Sequence, residues 1–213
     1  MIYEPVKLDD PIRQGDIFKN VPRVDLSLAN IAVVDDDDNR QTRWRDLVLE
    51  GSATQGVAAV LPVKAVTAIV ITQDCDAVRG KYLSLCQMDE YLPSIGHKEP
   101  PKSPKKWQSL IVEQARTNPR LVYFPAAPEN GINERMAVDF RVILRLPRTD
   151  LEALREFRLG RLNAIATEHF RETLAHFFRR YAFNEWYPLT KEEFEEYEIE
   201  RRETIEAYPW QLR

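Results

Sequence analysis

Apolar positions along the chain follow two different periods. In "VKAVTAIVITQ" the residues Val66, Ala68, Ile69, Val70 and Ile71 form a near-continuous run, which predicts a strand buried on both faces, since a half-exposed strand alternates. "KYLSLCQMDEY" alternates more, and Cys75 to Gly80 read as the link of a hairpin between the two. Upstream, "IRQGDIFKNVP" opens with turn chemistry at Gly15-Asp16 before Ile17, Phe18 and Val21 begin burial. "VDLSLANIAVV" alternates, with Val24, Leu26 and Leu28 on one side of an expected strand. Further on, "PRLVYFPAA", "RMAVDFRVILRLP" and "REFRLGRLN" read as three more strands, while "SLIVEQA" is compatible with a short helix or a strand.

The period changes near the C-terminal end. Thr167 is the expected cap of a helix from Glu168 to Tyr181, with Phe170, Leu174, Phe177, Phe178 and Tyr181 on the face that docks on the sheet. Thr190 with Glu193 signals a second, acidic helix through "EEFEEYEIERRETI", whose apolar stripe of Phe194, Tyr197 and Ile205 is thin.

Between these periodic stretches lie segments with none. "EGSATQG" interrupts the apolar text before Val63. "LPSIGHKEPPKSPKKW", rich in proline and in Lys98, Lys102, Lys105 and Lys106, is expected to be a mobile basic loop near residues 93–106. Asp35 to Asp38 form a charge block that lacks the ligand spacing and hinge glycine of a calcium loop, so a solvated loop tip is expected.

The pattern predicts a single α+β domain over residues 1–213, with a small antiparallel sheet or SH3-like barrel in 1–161 and helices of 162–213 packed on or beside it.

Charge narrows the function classes. With 30 basic and 34 acidic residues the net charge is −4, so any nucleic-acid contact has to be local. No run of about 18 apolar residues exists and "MIYEPVKLDD" lacks a secretory pattern, which predicts a soluble, cytoplasmic protein with no membrane association. The two cysteines are too few for a disulfide framework or a four-cysteine zinc site. With a turn centred near Val78, Cys86 would lie across from about Val70 and Cys75 in the loop, so both are expected to be free thiols.

"GDIF" (Gly15 to Phe18) followed by "VTAIVITQDCDAVRGKYLSLCQM" resembles the ground plan of the PemK/MazF-like toxins, small SH3-like barrels. The layout is also similar to that of uncharacterised bacterial proteins with a TQ-x-CD strand end and a late arginine-ended helix. The toxin resemblance covers about the first 90 residues and implies a dimeric barrel that binds or cleaves single-stranded RNA. The arginine that those toxins carry before the long strand has no counterpart in this chain between Arg45 and Arg79.

The candidate chemistry centres on "TQDCDAVRG". Metal-free RNA cleavage needs a base, an acid and a cation for the crowded phosphate, and Asp74, Asp76 and Arg79 supply those types at one strand end. The plainer alternative has Asp76 cap the turn and pair with Arg79. Cys75 is either a nucleophile or a thiol packed beneath the turn; its two flanking carboxylates work against the thiolate. Neither a metal nor another cofactor is expected, since adjacent strand residues point to opposite faces and His169 and His176 stand two turns apart. Arginines crowd the stretch from Arg141 to Arg180, where Arg141, Arg145, Arg161, His176 and Arg180 form the candidate nucleic-acid surface; pairing with the acidic final helix is the alternative.

Two functions follow as expectations. One is a toxin-like or phage-defence-associated bacterial protein acting on single-stranded RNA, as a metal-independent endoribonuclease or a binder. The other is a non-catalytic adaptor or subunit of a bacterial multi-protein system, using the acidic C-terminal helix and the proline-lysine loop.

Overall fold

Two β-sheets and the helices on their faces make an α+β architecture in the computed structural model, which describes residues 2–35, 38–179 and 195. The strands are β1 (Tyr3–Glu4), β2 (Asp16–Val24), β3 (Ile31–Asp35), β4 (Asp38–Thr42), β5 (Ala58–Val60), β6 (Val63–Val70), β7 (Tyr82–Glu90), β8 (Leu121–Phe124), β9 (Met136–Pro147) and β10 (Arg158–Leu162). The α-helices are α1 (Trp44–Leu49), α2 (Ser52–Gln55), α3 (Asp74–Arg79), α4 (Tyr91–Ser94), α5 (Pro104–Thr117), α6 (Arg148–Ala153) and α7 (Ala164–Arg179). The chain divides into two units, Met1–Phe177 and Phe178–Arg213, and both sheets belong to the first. The expected acidic helix, Arg180, and Asp36 and Asp37 of the charge block lie outside the described residues.

The main sheet is antiparallel, with strand order β1-β10-β2-β6-β7-β9-β8. It is open, so the barrel alternative does not form. Closure needs two edges that can share a ladder, and in this sheet the edges are β1, of two residues, and β8, of four.

The sheet is buried on both faces at its centre. Ile69 packs with Ile17, Cys86, Phe140 and Phe170 on one side, while Ala68 and Val70 pack with Phe18, Leu83, Leu85 and Leu151 on the other. The apolar run of β6 is thus enclosed where it was expected to be, but only over Ala68–Val70; its first residues, Val63–Ala65, are exposed. Cys86 pairs with Ile69, one residue from the expected register, and both thiols are free.

Three segments differ from the sequence expectation. β2 ends at Val24 and β3 starts at Ile31, leaving Leu26 and Leu28 exposed in a connection. The chain leaves the main sheet there to build a second one, β4-β3-β5, which closes over Leu47 of α1. The linker after β6 is not a hairpin turn but helix α3. Its end is set by Gly80, whose position leaves a Cβ only 2.7 Å from the Asp76 carbonyl oxygen. The proline-lysine stretch is helical from Pro104, because Ser103 accepts a hydrogen bond from the Lys106 amide and proline is tolerated in a first turn. Trp107 and Ile111 of that helix then pack beside Tyr91, Leu121 and Tyr123.

Helix α7 starts earlier than Thr167 predicts. Its first turn is capped by Asn163, whose side-chain oxygen accepts from the Ala166 amide at 2.9 Å. Phe170, Leu174 and Phe177 face the sheet as expected, with Phe140 within 5.7 Å of Phe170 and 5.5 Å of Phe177 between ring centres. Phe178 is exposed. No helix among the described residues is long and apolar enough to cross a membrane.

A buried carboxylate locks β2 to β10. Asp16 is fully buried and accepts from Arg161 at 2.5 Å and from Arg158 at 3.1 Å. The same two guanidinium groups donate to the carbonyls of Lys7, Asp10 and Pro11, fastening the N-terminal segment. Gly15, at φ +88°, turns the chain into this clamp; a side chain there would be strained and would press on Leu162.

Replacing Asp16 leaves two cations buried without their counter-charge. Asp16→Asn is expected to lower unfolding free energy by about 3–5 kcal/mol, measured by urea denaturation.

Candidate functional site

Helix α3 decides how the "QDCD" residues are presented. Successive helix residues turn by 100°, so Asp74 and Asp76 lie on nearly opposite sides, while Asp76 and Arg79 share one. Asp74 faces the protein. One carboxylate oxygen accepts from the Gln14 backbone amide at 2.9 Å, and the other from Arg171 of α7 at 2.6 Å. Arg171 also donates to the Gln14 side-chain oxygen at 2.8 Å, and the Gln14 amide donates to the Ile71 carbonyl at 2.8 Å.

Gln14 is nearly fully buried and each of its side-chain atoms has a partner. This is a latch joining three distant segments, the turn before β2, the start of α3 and the middle of α7. Asp76 is exposed; Arg79, also exposed, donates to the carbonyl of Cys75 at 3.3 Å. The three candidate catalytic side chains therefore do not converge.

The two thiols differ. Cys75 is exposed, and Cys86 is buried in the sheet, where burial and then the charge of Asp139 push its pKa up to about 12.

The candidate nucleic-acid residues are likewise dispersed. Arg161 belongs to the Asp16 clamp, where burial opposes its charge but the carboxylate raises its pKa. Arg141 and Arg145 are both exposed on β9, but the register shift between Val138 and Ile143 breaks the alternation between them, and they do not share a face as their spacing predicts. Arg141 is paired with Asp139 at 2.8 Å, and Asp139 also takes Arg120. Arg145 lies over the ring of Tyr82 at 4.3 Å, with the Lys81 ammonium 5.6 Å from the same ring. His176 is exposed on α7. Among the described residues no cluster of three or more His, Cys, Asp or Glu side chains is placed to hold a metal ion.

A concave feature lies elsewhere, a groove of about 970 Å³ along β8. Leu121 and Tyr123 turn toward α5, Val122 and Phe124 toward α7, so the edge strand forms the floor and the two helices the walls. Phe140 donates its amide to the Arg120 carbonyl, and Val122 and Phe124 pair with Val138 and Met136. By antiparallel alternation the N–H and C=O of Tyr123 then point away from β9, into the groove. Ile165, Ala166 and Phe170 line one wall and Ile111 and Ala115 the other. Among the described residues, Arg116, His169 and His176 are the ionisable groups of the lining apart from two tyrosines, and none of the described lining residues is a carboxylate.

Sequence reasoning singled out His176 in this groove and missed the groove as a whole. The "LVYF" segment reads as an ordinary strand, and nothing in it marks a strand as an edge. Gln14 and Arg171 of the latch were missed as well, since a buried amide leaves no periodic signal.

No protein-family model matches the chain, and no curated protein matches it.

Two outcomes follow. In the native protein one thiol, Cys75, is expected to react with a disulfide reagent at pH 8, and the second only after denaturation; two rapid equivalents in the native state would refute the burial of Cys86. Arg171→Met is expected to cost about 1–2 kcal/mol, because the buried Gln14 oxygen loses its donor while the half-exposed ion pair adds little. A double-mutant cycle with Asp74→Asn checks that the two act as one unit.

Proposed function

We propose that the chain is a non-catalytic adaptor or subunit of a bacterial multi-protein system, and that it engages its partner through the groove along β8. The observation that carries this is the edge strand β8 lying between two helical walls, with apolar lining and, among the described residues, no strand paired to its outer side. Such a surface offers both affinity and selectivity to a protein segment. The candidate catalytic residues add support from the other direction. Asp74 is engaged by Arg171 and Gln14, which leaves Asp76 and Arg79 without a second carboxylate on their side of α3.

A second reading is favoured by one feature, the ring of Tyr82 with Arg145 and Lys81 above it on the exposed surface. A partly exposed aromatic beside two cations is the kind of platform on which a single-stranded base stacks. On that reading the protein is a toxin-like or defence-associated binder of single-stranded RNA.

Incubation with single-stranded RNA at low and moderate salt separates the two. The adaptor reading expects no cleavage and no binding that Tyr82→Ala/Arg145→Ala removes. Salt-sensitive binding lost in that double variant supports the RNA reading, and cleavage lost in Asp76→Asn overturns the non-catalytic one.

A further inference from the structure

The groove along β8 lies on the open side of the last strand in the main sheet, where a further strand would continue it. Among the described residues the main sheet runs β1-β10-β2-β6-β7-β9-β8 and ends there. Beyond β8, at the next strand position about 4.8 Å on, α5 covers one face and α7 the other. An ordinary sheet edge faces water on its open side; this one faces a walled, largely apolar cleft.

We propose, building on the adaptor reading, that this cleft takes an extended peptide segment of a partner protein, which adds to β8 as an eighth strand and carries apolar residues together with a carboxylate. Each part of that chemistry comes from a distinct feature. The outward N–H and C=O of Tyr123 call for a backbone in extended conformation, since only another strand presents the complementary pair. The two helical walls require apolar side chains on both faces of the guest, as they do in the inner strands of the sheet itself. Val122 and Phe124 set the level of one face and Leu121 and Tyr123 of the other. The carboxylate follows from charge: Arg116 on α5 and His169 and His176 on α7 border the cleft, and no acidic side chain among the described lining residues answers them.

The guest is a flexible segment rather than a folded sheet edge, because the walls that accept one strand leave no room for the layers on either side of a second sheet. Backbone pairing would supply affinity and the two walls selectivity.

The test pans the purified full chain against a displayed library of random dodecapeptides and measures the enriched peptides, synthesised with a fluorophore, by anisotropy. Enriched sequences are expected to alternate or run apolar and to include Asp or Glu. Ala115→Arg, at an exposed helix position bordering the cleft, and Arg116→Glu, which reverses a charge, are each expected to weaken binding at least about tenfold, or ~1.4 kcal/mol, with unchanged thermal melting. N-methylation of the bound peptide should abolish binding at one alternate set of amides and spare the other, as strand pairing requires.

Absence of enrichment over an unrelated control protein overturns the proposal. So does enrichment of peptides that Ala115→Arg still binds, or indifference to N-methylation. Concentration-dependent dimerisation lost in Ala115→Arg would assign the cleft to a second copy and overturn the peptide occupant. A cleft that selects no peptide while RNA is neither bound nor cut defeats this inference alone; Asp76-dependent cleavage defeats the non-catalytic reading whether or not peptides bind.

Discussion

A carboxylate with no access to water has to be neutralised where it sits, and Asp16 meets that condition through Arg158 and Arg161 of the neighbouring strand. Both guanidinium groups have donors left over, and these go to the carbonyls of the segment before β2. That places Gln14 and Gly15, and Gln14 in turn receives Arg171 and holds Asp74. The clamp and the latch are thus consecutive links. One fixes β2 to β10, and the other fixes α3 and α7 to the turn that leads into β2.

The same chain of contacts explains which parts of the fold are legible in the sequence. Continuous apolarity at Ala68–Val70 marks a strand with covered faces, and the spacing of Phe170, Leu174 and Phe177 marks the docked side of a helix, because both signals are periodic and local. The first turns of helix α5 escape notice, although residues 109–115 are legible as a helix or strand, because proline and lysine are read as breakers and solvent lovers; yet proline is harmless in a first turn and Ser103 stands where a cap is wanted. The helical turn at α3 is hidden for a different reason. "DCDAVRG" fits a loop as well as a helix, and the contact that settles it, Asp74 with Arg171, spans 97 residues.

The site was legible as residue types but not as an arrangement. Acids at 74 and 76 on a strand would stand on one face, whereas on a helix they part. The arginines that suggest a positive patch are largely consumed within the fold, Arg158 and Arg161 by Asp16 and Arg141 by Asp139. The groove along β8 is a property of topology: β8 is last in the sheet among the described residues, a rank that no residue in "LVYF" encodes, and α5 and α7, separated by residues 118–163, flank it.

The ion pair between Asp16 and Arg161 spans 145 positions, and this separation orders events during synthesis. β2 sits inside the sheet, yet its partner β10 is translated after every other strand of the first unit. At roughly 5–20 residues per second, the acid waits about 7–30 seconds, hydrated, before its cations leave the ribosome. Until then β2 offers an unmatched rim and an open hydrophobic flank to whatever is nearby, so a chaperone that shields nascent β2 should matter more for this protein than its modest length would suggest.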